Sequence, residues 1–168
     1  MDRSEIAYAV GIAKALAQLA PKAKQRDRKK AEDDNSSILV RDEDVLRASA
    51  KLFLDGHYAQ AVEEAFKCVN NTVRNRACHS GDGSGMMKHV FSAEKPVLRL
   101  NDLRTQSDRN EQLGYMEIFA GVMTGVRNPR AHAHQFGDTR EDALELLVLA
   151  GHLARKAKNA KRVVKRKR

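Results

Sequence analysis

From Ala143 to Ala154 the chain is apolar almost all the way round a helical wheel, interrupted mainly by Glu145 and His152. A helix with so little polar circumference has to be covered on more than one side, which places it in a packed bundle and, because its apolar circumference exceeds what a single small bundle covers, also predicts a homodimer. Other segments supply the partners. Behind Asp42 as N-cap, residues 43–54 put Val45, Leu46, Ser49, Leu52 and Phe53 on one face. Residues 57–76 gather Ala61, Val62, Ala65, Phe66, Val69 and Val73 in the same way. The short link between these helices makes them an antiparallel pair, and Gly56 suits the left-handed position that closes the first. A third long helix, about 110–126, turns Met116, Phe119, Ala120 and Met123 inward, with Gly121 and Gly125 admitting a close helix neighbour. Met86–Phe91 reads as a short helix and Pro96–Leu103 as an extended packed segment. The last helix starts at Asp138 or Thr139, with Glu141 three residues after Asp138 in a capping-box pattern. No strand alternation or internal repeat is visible. The fold class is all-α, an antiparallel four- to five-helix bundle.

Four regions follow. Residues 1–21 form an additional amphipathic N-terminal helix ended by Pro21, 22–40 a charged linker, 41–158 the bundle, and 159–168 a basic tail. The net charge of +9 is concentrated at one end: from Arg155 onward there are nine cations and no carboxylates, and the rest of the chain is formally neutral. Lys161, Arg162, Lys165, Arg166, Lys167 and Arg168 are the tail's candidate nucleic-acid contacts, of a kind that adds affinity without sequence selectivity. A solvated end is the equally weighted alternative. Two cysteines without a secretory signal fit a reduced, cytoplasmic protein, with Cys68 on a buried helix face. No apolar run approaches the roughly 20 residues that span a bilayer, so no membrane role is expected.

The chemistry concentrates in Gly125-Val126-Arg127-Asn128-Pro129-Arg130-Ala131-His132-Ala133-His134. An arginine can grip a phosphate with two prongs, and a histidine can move a proton near neutral pH. A residue before proline is pushed away from the α region, so the helix is expected to stop near Val126-Arg127. Arg127, Asn128 and His132 are the candidate catalytic group, with His134 as second choice for the proton carrier and Arg130 as a phosphate contact. Spacing alone is weak: 17 Arg and 6 His give about two chance matches, and Arg74-Asn75-Arg76-Ala77-Cys78-His79 is another. Arg74 leads into Gly81-Asp82-Gly83-Ser84-Gly85, which reads as a flexible connection and lacks the lysine ending of a phosphate loop. His132-x-His134 and Cys78-His79 lack the separation typical of structural zinc, so neither a metal nor another cofactor is expected. Glu63 or Glu64 could orient a site group, and the sequence does not choose between them.

At this level the chain resembles the HEPN superfamily, and more closely its Ymh-type branch. The features that carry the resemblance are the Arg-Asn-Pro-x-Ala-His segment at 127–132, the helix pair around Asp55–Ala61, a Gly-rich middle and a Leu-rich final helix, over roughly 41–158. The resemblance implies a HEPN-like bundle and a metal-independent endoribonuclease. It also implies a homodimer that unites two copies of the motif in a composite site, with RNA as substrate. Phage defence, toxin activity or mobile-element conflict would be the setting, with an antitoxin or defence-system partner. The alternative is a non-catalytic nucleic-acid-binding or dimeric interaction module of the same fold.

Overall fold

The computed structural model describes residues 40–132 and 136–163. The expected N-terminal helix over 1–21, and all of the linker but Val40, lie outside them. The described elements are α1 (Glu43–Leu54), α2 (Tyr58–Ala77), α3 (Gly83–Val90), β1 (Leu98–Arg99), α4 (Gln106–Val122), a π turn (Met123–Arg127), α5 (Asn128–His132), α6 (Arg140–Asn159) and β2 (Lys161–Arg162). The chain is mostly helical, as its periodicities predict.

Asp42 caps α1 as expected, accepting from the backbone N–H groups of Asp44 and Val45 at 3.2 Å. Gly56 closes the same helix with φ +84°, a backbone conformation that costs glycine little. The far end of α6 meets both neighbours. Lys158 Nζ reaches Asp42 at the start of α1, at 2.7 Å, while Arg76 Nη2, near the end of α2, donates to Ala160 O at 2.6 Å. Helices α1 and α2 are therefore antiparallel, as their short link requires.

Helix α6 packs along α2 and more briefly on α1. Ala143, Leu147, Ala150, Gly151, Leu153, Ala154 and Ala157 are buried, and Leu144, Leu146, Val148 and Leu149 pack against the same core. Its apolar circumference is thus largely covered within the chain, so α6 does not supply the uncovered face from which a homodimer is expected. Gly151 is needed for a close approach: a Cβ there would lie 3.2 Å from Val40 Cγ1. His152, the polar interruption, shares a 2.7 Å hydrogen bond with the Tyr115 hydroxyl across to α4. Burial, followed by Lys156 and Arg155 nearby, holds its imidazole below the usual range, which favours the neutral ring.

Two expectations change, and the choice between Asp138 and Thr139 as cap falls to Thr139. Helix α4 begins at Gln106, earlier than its apolar spacing suggests, because Thr105 and Asp108 form a reciprocal capping box. Helix α6 is capped by Thr139, whose hydroxyl accepts from Asp142 N–H at 3.1 Å. The tail is anchored at its root: Leu98 pairs with Arg162 and Arg99 with Lys161 in a short antiparallel ladder, and Ala160 is buried. Two-residue strands carry no alternation for a sequence pattern to reveal.

Gln112 holds the connection between α3 and α4 in place. Its fully buried amide donates to Phe91 O and Leu98 O, each at 3.0 Å, and accepts from Leu100 N–H at 2.9 Å. Nearby, Phe91 stacks on Phe119 with centroids 4.4 Å apart. Gln112→Leu keeps the bulk but strips three backbone groups of their partner. Stability should fall by about 3 kcal/mol or more, since each stranded buried group costs roughly 1–3 kcal/mol. Denaturant unfolding checks this, and a loss below about 1 kcal/mol would show that the amide is dispensable.

Candidate active site

The helix does not stop at Arg127. Asn128 is α-helical, with φ −63° and ψ −42°, and its N–H donates to Met123 O, closing the π turn. Pro129 has no N–H to donate, and its ring would press on the carbonyl four residues back in a regular helix. The wider turn just before it relieves that conflict, and Asn128 keeps helical angles against the bias of a pre-proline residue. Arg130 adds a tie, with Nη1 donating to Val126 O at 2.7 Å. Local π turns occur frequently at functional sites. Gly121 and Gly125 meet no helix neighbour within the described chain: nothing lies within 4 Å of where a Cβ would be.

Arg127 leaves the π turn largely buried, 23% exposed at its side chain. Its Nη1 donates to Asn128 Oδ1 at 3.1 Å, and Nη2 stands 3.9 Å from Asp82 Oδ2. Its Nε is buried and has no hydrogen-bond partner among the described residues. The guanidinium is therefore positioned by its neighbours but incompletely satisfied, the condition of a group able to take another acceptor. Asp82 is a contributor that motif reading misses. It occupies the N-cap position of α3 without making a cap hydrogen bond, and lies beside Arg127 instead. Buried Asn70 sets this geometry by accepting from Gly83 N–H at 3.0 Å. The glycine run is consequently part turn and part helix, with Gly83 at φ +64°.

His132 is exposed and is the last residue of α5. No hydrogen bond joins it to Arg127 or Asn128, so the structure unites the first two candidates and leaves His132 apart, on the same helical stretch. His134 lies outside the described residues, as do Lys165, Arg166, Lys167 and Arg168. In the anchored part of the tail, Lys161 Nζ is 3.3 Å from Asp102 Oδ1, and Arg162 Nη1 donates to Cys78 Sγ at 2.9 Å. With Lys156 on Glu111 and Lys158 on Asp42 and Asp44, much of the cationic run is matched by carboxylates from distant segments.

Arg130 differs from expectation. Its Nε donates to Asp138 Oδ2 at 2.6 Å and its Nη2 to Asp138 Oδ1, and both side chains are about 5% exposed. Its guanidinium also lies 4.5 Å from the centre of the Phe136 ring. A two-pronged internal ion pair, rather than a solvent-facing phosphate contact, uses these donors, because the loop before α6 returns Asp138 to α5. Asp138 is thereby engaged elsewhere than at the start of α6, which explains why Thr139 caps that helix.

The second Arg–His match closes α2. His79 N–H donates to Arg74 O at 3.0 Å, His79 Nδ1 accepts from Gly81 N–H at 2.8 Å, and Arg74 Nη2 donates to Asn71 Oδ1 at 2.6 Å. Glu63 and Glu64 are both drawn to Lys67. Cys68 is half-buried, and burial pushes its thiol up from the ordinary value. Among the described residues no three His, Cys, Asp or Glu side chains are grouped to hold a metal ion. None of the described helices is long and apolar enough to cross a membrane.

Fold and site together define a helical chain with a positioned, under-satisfied arginine at a distorted helix turn. The chain belongs to the Ymh family: residues 40–157 match the family described as "Protein of unknown function (Hypoth_ymh)". Searches of curated proteins and of solved structures returned no match.

The buried pair makes a separate prediction. Asp138→Ala should cost about 3–5 kcal/mol because it strands a buried cation, whereas an Arg130→Met/Asp138→Leu double variant should lose less. A double variant that loses as much as Asp138→Ala, read by thermal or denaturant unfolding, would mean that the stranded cation is not the source of the cost.

Proposed function

We propose that this protein is a metal-independent endoribonuclease of HEPN type, acting in phage defence, as a toxin or in mobile-element conflict. The observation that carries the reading is Arg127, held by Asn128 at the π turn with its Nε buried and unpartnered, five residues before the exposed His132. In this mechanism Arg127 grips the scissile phosphate and stabilises the charge that grows on its oxygens in the pentacoordinate transition state. His132 takes the proton from the ribose 2′-OH as that oxygen attacks phosphorus, or gives one to the departing 5′-oxygen. The products are a 2′,3′-cyclic phosphate and a free 5′-hydroxyl. Arginine and histidine supply the charge and both proton transfers, so no step calls for a metal.

One histidine cannot begin both transfers in the same protonation state. A homodimer supplies the second copy across a two-fold axis. Support for association comes from two apolar side chains of α4, Leu113 and Ile118, each more than 40% exposed, rather than from the well-covered α6. Asp82 would be displaced from Arg127 by an arriving phosphate, a stronger partner for a two-pronged donor.

The separation of His132 from Arg127 and Asn128 favours a second reading, a nucleic-acid-binding module of this fold without catalysis. Purified protein and RNA distinguish the two. Under the proposal, Arg127→Ala and His132→Ala each lower cleavage by several orders of magnitude. Cleavage persists in chelator, Arg74→Ala is close to wild type, and His132→Ala still binds RNA. Binding without cleavage in the wild-type protein establishes the module. Normal cleavage by folded His132→Ala moves the proton-transfer role to another residue, with His134 next to be tested.

Association is measured independently. Light scattering on the order of tens of micromolar, a concentration range in which mass action reveals moderate association, should give twice the 18.8 kDa chain mass. Ile118→Lys should shift it to the monomer. A wild-type protein that is monomeric throughout rules out the composite site.

A further inference from the structure

Beyond the arginine, the surface contains a cleft that the chemistry above does not use. It lies between the α1–α2 turn and the loop before α6, has a volume of about 260 Å³, and is lined by His57, Tyr58, Gln60, Phe136 and Asp138 among others. This is slightly below the roughly 300–1,000 Å³ of pockets that take drug-sized ligands. One planar ring system is the matching scale.

Its composition is specific. Phe136 is 38% exposed, so part of its ring is open to contact from outside. Arg130 sits 4.5 Å from its centroid and is itself fixed by Asp138 and Val126 O. The ring therefore has a rigid cationic backing, and its remaining surface contributes to the cleft. Tyr58 forms another side, steadied by edge-on contact with Phe53 at 5.3 Å. His57 and Gln60 are exposed and bring an imidazole and an amide, groups that can both donate and accept hydrogen bonds. Asp138 adds little free negative charge, because Arg130 engages both its oxygens. An aromatic platform with adjustable donors and acceptors at its edge suits an unstacked nucleobase, the way proteins read single-stranded RNA.

Position connects the cleft to the arginine. The platform residue touches Arg130, and Arg130 binds the carbonyl of Val126, the residue immediately before Arg127. We infer that the cleft formed by His57, Tyr58, Gln60 and Phe136 is a nucleobase subsite that holds one unpaired base of an RNA strand whose phosphate is at Arg127. The inference rests on the ribonuclease reading for the identity of the ligand. It adds that the substrate is single-stranded at this position and that base preference is set by His57 and Gln60.

The chain contains no tryptophan, so Phe136→Trp introduces a single indole into the platform. It is combined with His132→Ala to keep the RNA whole. Titration with a short single-stranded RNA should quench the indole saturably, a duplex of the same sequence should quench it far less, and inorganic phosphate should leave it unchanged. A nucleoside monophosphate, lacking the strand's other contacts, should quench only at much higher concentration. Phe136→Leu should bind single-stranded RNA roughly 5- to 150-fold more weakly, the range for losing one stacked base. Phe136→Tyr should bind as wild type, and Gln60→Ala should change the preferred base. Because Phe136→Leu retains an apolar cover for Arg130, an unchanged unfolding midpoint excludes misfolding as the cause.

RNA that binds without quenching the indole, or duplex that quenches equally, overturns the subsite. Quenching without wild-type cleavage overturns the nuclease reading and leaves the subsite standing. Cleavage with normal RNA affinity in Phe136→Leu does the reverse. Absence of any RNA binding overturns both.

Discussion

Arg130 and Asp138 meet across the segment that separates α5 from α6, with almost no solvent access, and the local architecture depends on that meeting. Desolvating two charges is expensive, and only matched geometry compensates for it. Here the two-pronged contact fixes three things together. It anchors the chain on its return from α5, leaves Thr139 to cap α6, and backs the Phe136 ring. Through Val126 O it also stiffens the turn from which Arg127 projects. A charge that sequence inspection offers as a ligand contact acts as a fastening for the residues around it.

The helical layout was largely legible because burial imposes a period on side chains. The faces of α1 and α2, the covered character of α6, Asp42 as cap and Gly56 as terminator all follow from that rule. What escaped was non-periodic or non-local. Gln112 looks like any polar helix residue until the backbone of 91–100 is folded around it. Asp82 gains importance only because Asn70, twelve residues earlier, fixes the turn that brings it beside Arg127. The β1–β2 ladder joins segments more than 60 residues apart and is too short to leave a pattern.

The candidate site was legible in residue identity and less so in geometry. Arg127 and Asn128 are together, while the proline rule misplaced the helix end because it describes a local steric bias, which the hydrogen bonds from Asn128 N–H to Met123 O and from Arg130 to Val126 O outweigh. Charge counting had the same weakness. It identified a cationic end correctly, yet local sequence cannot show that Glu111, Asp42, Asp44 and Asp102 come back to meet part of it. The anchored root of the tail is therefore partly neutralised in place.

The π turn has a rotational consequence. An α-helix advances about 100° per residue, so accommodating one extra residue in a turn changes the angular phase of everything after it. Met123–Arg127 thus acts as an indexing joint between two rigid cylinders. Helix α4 keeps Phe119 and Ala120 aligned with the core, while α5 is free to aim its residues by a separate setting. The side chains after the joint therefore face directions that an unbroken continuation of α4 would not give them.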